Sequence, residues 1–324
     1  MEVGIGFWIG FVIFVVVMLF LDLKVFHKQD EEIKVKPALY WSAFWIGLAL
    51  LFNVGIYFVG DFYWGEVIAK QKALEFFTGY LIEKSLSVDN LFVFLMVFGF
   101  FGIQAKYQHR ILFWGIIGAI AMRAIFIFAG VALIERFTWV MYVFGGFLIY
   151  TGIHMLFEKD DEKNFDPNKN FAVKLFRKLM PVSEDASLTT FFVRKDKVLY
   201  ATHFFIVLLL IEASDLIFAI DSIPAVLSVS KDPFIVYTSN IFAILGLRSL
   251  YFALNGVMQY FKYLKYALAF ILSFIGVKMC LNEFGHQFGY DIHIGTFVSL
   301  GVIIVSLTIS ILASVLEEKV RKKS

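Results

Sequence analysis

The sequence predicts an all-α polytopic membrane protein: nine transmembrane helices, six of them forming two inverted three-helix repeats. Three observations lead there. Hydrophobic residues fill 60% of the 324 positions, with 40 Phe and a mean hydropathy of +0.78, far outside the soluble norm. Apolar stretches of roughly 20 residues, the length that crosses a hydrocarbon core, recur nine times along the chain. Lys and Arg segregate into alternate connecting loops, as the positive-inside rule requires of a multi-pass protein. The formal net charge of +2 comes without a basic, aromatic-interleaved stripe, so no nucleic-acid partner is expected. One cysteine, Cys280, cannot form an internal disulfide.

Residues 1–70 hold two spans, near 3–21 and 38–60. The first lacks a basic leader and a small-residue cleavage site, so it reads as a retained helix. Residues 73–157 hold three more, near 74–101, 111–134 and 139–157, and residues 158–198 form a polar loop. Within that loop Phe171 to Met180 has amphipathic spacing with basic residues, the pattern of a segment lying on a membrane surface. Residues 199–282 repeat the three-span layout near 199–229, 234–255 and 264–282, and residues 293–324 supply a last span and a basic tail. With the N-terminus outside, the inside loops and tail carry twenty-one Lys and Arg against four outside. That asymmetry predicts an external N-terminus and a cytoplasmic C-terminus.

Two of these spans carry acids deep in apolar sequence. The first motif is Glu83-Lys84-Ser85-Leu86-Ser87-Val88-Asp89-Asn90, and the second is Asp215-Leu216-Ile217-Phe218-Ala219-Ile220-Asp221-Ser222. Aligning Asp221 with Asp89 also aligns Asp215 with Glu83. Glu212 precedes Asp215 by one helical turn. An ionisable group at membrane depth costs several kcal/mol, so it reads as functional by default.

The likeness extends past the acids. Gly118-Ala119-Ile120-Ala121-Met122-Arg123 in the fourth span matches Ala243-Ile244-Leu245-Gly246-Leu247-Arg248 in the seventh. At nearly the same offset, Gly152-Ile153-His154-Met155 matches Gly276-Val277-Lys278-Met279. An odd number of spans per copy inverts the second copy relative to the first, a layout associated with alternating access around a midplane site. The plainer alternative is a chance match between Phe-rich helices.

These segments, together with Glu212-Ala213-Ser214-Asp215 and Ser239-Asn240-Ile241-Phe242, resemble the signature segments of the TerC family of integral membrane proteins. The resemblance covers nearly the whole chain. The extra N-terminal spans and Phe191-Phe192-Val193-Arg194-Lys195 are most similar to its Alx-type members. It implies a bacterial inner-membrane protein of manganese efflux; other relatives are linked to tellurite resistance or to metal supply for exported enzymes.

The residues themselves suggest how such a site works. Residues six apart on an unbroken helix point about 120° away from each other, so gathering both acids of a motif on one ion calls for a break near the midplane. Pro224 offers one in the second motif by disrupting the bond to the Ile220 carbonyl. The expected ligands, Glu83, Asp89, Glu212, Asp215 and Asp221, with Asn90, Ser222 and Asn240 as further metal or pathway groups, are all oxygen donors. That set suits Mg²⁺, Ca²⁺ or Mn²⁺ over Zn²⁺ or Cu⁺. Five carboxylates around one dication leave excess charge, so some are protonated or paired with Lys84, Arg123, Arg248 or Lys278, the expected counter-charge and gating residues. Proton exchange for metal follows as an expectation, with no prosthetic group and no enzymatic activity. Rival readings are a passive cation channel, a metalloenzyme (disfavoured by a His-free acidic set), and a scaffold for metal loading or tellurite resistance. A purely structural reading makes the acids intramembrane salt bridges, has Asn240 cross-link two helices, and leaves His154, His203 and Lys278 to reach the interface.

Overall fold

The computed structural model describes residues 4–26, 35–157, 171–183, 189–195, 197–254, 263–290 and 294–321. Eleven helices and one hairpin occur among them. α1 (Ile5–Phe26) and α2 (Val35–Trp64) precede the long α3 (Glu66–Phe100), then α4 (Ala105–Arg136) and α5 (Val140–Phe157). The short α6 (Phe171–Leu179) and the antiparallel pair β1 (Phe192–Lys195) and β2 (Val198–Ala201) lead into α7 (His203–Leu227). α8 (Pro233–Leu245), α9 (Leu247–Leu254), α10 (Leu264–Phe288) and α11 (Thr296–Arg321) complete the chain.

Among the described residues, eight helices are long and apolar enough to cross a membrane, α8 and α9 counting as one. The expectation was nine. The remaining candidate is α3, 35 residues and so about 52 Å long. Its apolar C-terminal half carries Glu83, Lys84 and Asp89, which removes it from a count by composition. The chain is a multi-pass membrane protein: outward-facing side chains such as Ile5, Phe62 and Phe297 are large, apolar and exposed, and only lipid satisfies such a surface.

The expected breaks in the acidic helices do not occur. α3 runs unbroken through Glu83, Asp89 and Asn90, and α7 continues through Asp215 and Asp221 with Pro224 inside it. Hydroxyls bond back within the helices instead: Ser85 Oγ donates to the Leu81 carbonyl at 2.6 Å and Ser214 Oγ to Leu210 at 2.8 Å. The physical reason is that a cation from a third helix gathers the acids, so neither acidic helix has to bend.

The break falls in the seventh span. α8 stops at Leu245 and α9 resumes at Leu247, with Gly246 between them. A Cβ on Gly246 would lie 3.0 Å from both Lys84 Nζ and Trp45 Cβ, so glycine is what admits these side chains. Lys84 Nζ donates to the Ala243 carbonyl at 3.2 Å, placing a cation at the negative end of the α8 dipole. At its other end Asp232 caps α8 by accepting from the Phe234 and Ile235 amides.

Packing is closest between α5 and α10. A Cβ on Gly276 would come within 2.5 Å of the Gly145 carbonyl, and one on Gly145 within 2.9 Å of the Gly276 carbonyl. Paired glycines thus bring the two backbones together, the usual means of helix association in lipid. α1 lies against α8 through Trp8 and Phe11, whose rings meet Phe234 at 5.1 and 6.0 Å. At the far end of α1, Asp22 forms a buried ion pair with Arg248 of α9, which also donates to the Asp22 carbonyl.

Candidate metal centre

The centre of the bundle is where α3, α4, α7 and α8 meet, and Arg123 of α4 occupies it at 1% exposure. Its Nη1 ion-pairs with Glu83 of α3, donates to Asn240 Oδ1 of α8 at 2.9 Å, and reaches Ser222 Oγ of α7 at 3.4 Å. Nη2 lies 3.5 Å from Asp215 Oδ1 of α7. One guanidinium therefore holds Glu83 and Asp215, the two acids that the repeat alignment pairs. A planar fork with five donors suits this many partners, as a lysine would not. Asn240 is fixed for the task by its Nδ2, which donates to Val236 O of its own helix at 2.9 Å.

The cluster is incompletely satisfied. Glu83 Oε2, Asp215 Oδ2 and Asn90 Oδ1 are buried acceptors without a hydrogen-bond partner, as is Arg123 Nε among donors. Ser87 Oγ reaches only the other Glu83 oxygen, at 3.3 Å. Orphaned buried polar atoms are rare in native proteins, and each calls for an explanation. Three such oxygens, on α3 and α7, flank the one guanidinium.

Beside them is a cavity of about 220 Å³. Glu83, Asn90, Arg123, Ser222 and Asp221 contribute its polar wall, with Thr151 and His154 from α5. Thr151 donates to Asp221 Oδ1 at 3.3 Å. At roughly 30 Å³ per water, the cavity has room for an ion with several waters. On the side of Arg248 the packing closes: between Asp215, Phe94 and Ile244 only about 10 Å³ remains.

Of the five expected ligands, Glu83 and Asp221 face the shared cavity, and Asp215 stands across Arg123 from Glu83. Glu212 packs its carboxyl group directly against Gly118 of α4, where any larger residue would collide with it. Asp89 lies on α3 between Glu83 and the orphaned Asn90, and its side chain is outside the described residues. Among the described residues no three His, Cys, Asp or Glu side chains are grouped as a ready-made metal cage. Of the four expected counter-charges, Arg123 alone ion-pairs with acids of the motifs among the described residues. Lys84 serves the end of α8, Arg248 pairs with Asp22, and Lys278 is buried on α10 away from the cavity wall.

Sequence reasoning missed Thr151, the cavity position of His154, and Asp22. Asp22 carried a usable signal, an acid at the end of an apolar run. Thr151 carried none, because a threonine in an apolar helix ordinarily bonds to its own backbone.

A family model described as the integral membrane protein TerC family matches residues 68–322. The membrane protein STKORF319 of Myxococcus xanthus is 47% identical, across 97% of this chain and 93% of its own. Proteins of Escherichia coli K12 and Salmonella typhi, both described as a candidate membrane-bound redox modulator, Alx, are each 46% identical. They cover 91% and 94% of this chain, and 90% and 92% of their own length. No solved structure matches. By a family match over most of its length, and by full-length relatives at this identity, the chain belongs to the TerC family of integral membrane proteins.

Proposed function

We propose that this chain exports a hard divalent cation, Mn²⁺ foremost, across a bacterial inner membrane, in exchange for protons and by alternating access. The observation that carries this reading is the set of orphaned buried oxygens, Glu83 Oε2, Asn90 Oδ1 and Asp215 Oδ2, where Glu83 and Asn90 line a cavity with Asp221. The cavity's donors are the oxygens of Glu83, Asn90, Thr151, Asp221 and Ser222 with one nitrogen ligand, His154, a predominance of oxygen that favours Mn²⁺, Mg²⁺ or Ca²⁺. Metal entering the cavity would bind Glu83, Asp221, Asn90 and Ser222. Arg123 stands for the cation while the metal is absent, since two buried carboxylates without a positive charge are not tolerated. Protons taken up by the remaining acids on metal release complete the cycle.

Helix pairing supports the inverted-repeat part of the reading. Exchanging α3, α4 and α5 for α7, α8 and α10 turns the α3–α8 contact into the α4–α7 contact. The α3–α7, α4–α8 and α5–α10 contacts map onto themselves. That is the pattern of a two-fold relation between halves, and the charge asymmetry of the loops adds the external N-terminus.

The Alx relatives are described as candidate membrane-bound redox modulators. With one cysteine in the chain, at 280, an internal dithiol is out of reach, so a redox effect of this protein would be indirect, through the metal it moves.

The test is cell-associated metal, and growth under a panel of divalent ions, in an exporter-deficient bacterium carrying wild type, Asp89→Asn or Asp221→Asn. Wild type lowers cell Mn²⁺ and both variants do not. Variants that export as well as wild type defeat the site. In proteoliposomes, Mn²⁺ movement with no change of lumenal pH defeats the proton exchange and favours the passive channel.

A further inference from the structure

A second cavity, of about 620 Å³, opens at the end of the bundle where α3 stops and α4 and α7 begin. It is separate from the acidic site and opposite to it in charge. Lys106 on the first turn of α4, Arg177 on α6 and His203 on the first turn of α7 line it. No Asp or Glu occurs among the described lining residues. His203 Nδ1 is buried and has no hydrogen-bond partner. The Gln104 and Thr202 carbonyls accept from the Tyr107 and Phe205 amides, but their side chains make no capping bond, so among the described residues the first two amides of α4 and of α7 have no side-chain cap from these residues. The other wall is apolar: Phe101, Val173 and Phe204.

Its level in the membrane follows from the helix ends around it. α6 is an amphipathic helix with Lys174, Arg177 and Lys178 on it, held to the bundle by Phe176, whose ring lies 4.8 Å from that of Phe205. Leu175 of the same helix is 47% exposed, as an apolar side chain of an interfacial helix would be. A basic, half-apolar cavity at the ends of membrane-crossing helices has the chemistry of a phospholipid site. The cationic side takes a phosphodiester and the phenylalanine wall takes the start of an acyl chain.

We propose that this cavity binds the headgroup phosphate of an anionic phospholipid, anchoring α6 to the helix bundle at the membrane interface. The purified full-length protein, exchanged into detergent with defined phosphatidylglycerol or phosphatidylethanolamine, is weighed intact by native mass spectrometry. Thermal unfolding is followed in parallel. Wild type retains phosphatidylglycerol over phosphatidylethanolamine, and Lys106→Glu with Arg177→Glu lowers that retention on the order of tenfold. The conservative pair Lys106→Arg and Arg177→Lys keeps it, which separates charge from folding. Equal retention of the two lipids by wild type, or unchanged retention in the charge-reversed pair, overturns the proposal. So does stabilisation by millimolar inorganic phosphate with no lipid preference, since the ligand would then be a soluble anion.

Discussion

Replacing Arg123 with glutamine removes the one cation shared by Glu83 and Asp215 and leaves both acids in place. The side chains of Arg123, Glu83 and Asp215 are 1%, 0% and 7% exposed, so bulk solvent does not replace the lost charge. Removing one partner of a buried pair costs roughly 3–5 kcal/mol. At about 2 °C per kcal/mol for a chain of this size, Arg123→Gln should melt about 6–10 °C below wild type. Intrinsic fluorescence of the six Trp during heating in detergent reads this directly. Adding Glu83→Gln to Arg123→Gln should restore part of the loss, with a coupling of about 1–3 kcal/mol between the two positions. Mn²⁺ should restore more. A cation that binds the folded state at 100 times its dissociation constant contributes about 2.7 kcal/mol, and the variant offers it two acids without competition from the guanidinium. Mn²⁺ should therefore raise the midpoint of Arg123→Gln more than that of wild type. A variant that melts within about 1 °C of wild type refutes the ion-pair reasoning. Equal metal response in both proteins refutes the competition between Arg123 and the ion.

Two further predictions concern the frame around the site. Gly276→Ala forces a methyl group to within 2.5 Å of the Gly145 carbonyl and 2.8 Å of Ile149. It should cost about 1–3 kcal/mol in thermal unfolding. Gly146→Ala, one residue along α5 with nothing within 4 Å, should be neutral or stabilise by about 0.5–1 kcal/mol. If the two alanines behave alike, the α5–α10 packing does not depend on these close contacts. Lys84→Met removes the cation at the end of α8 and should lower stability by about 1–2 kcal/mol. An unchanged melting midpoint would show that Lys84 does not hold the Gly246 break.

Composition determined the class of this protein and most of its helices. The apolar runs are set by the length of a bilayer, so α1, α2, α4, α5, α10 and α11 were legible wherever about 20 such residues stood together. Acids deep in such runs were legible too, since their cost in lipid makes them exceptional in any sequence. The arginines were recognisable as counter-charges for the same reason, but their partners were not. Arg123 and Arg248 sit at matched places in the repeat, yet one holds Glu83 and Asp215 while the other holds Asp22 from the first helix. Sequence spacing fixes direction on one helix only, and these pairs join residues on different helices. The helix break was misassigned for a related reason. Pro224 is accommodated inside α7, whereas the chain parts at Gly246, whose missing side chain admits Lys84 and Trp45 from other helices. What crosses between helices, including the cavity that Thr151, Glu83 and Asp221 share, exists only once the bundle has packed, because it is defined by side chains far apart in sequence meeting in a volume that no single helix encloses.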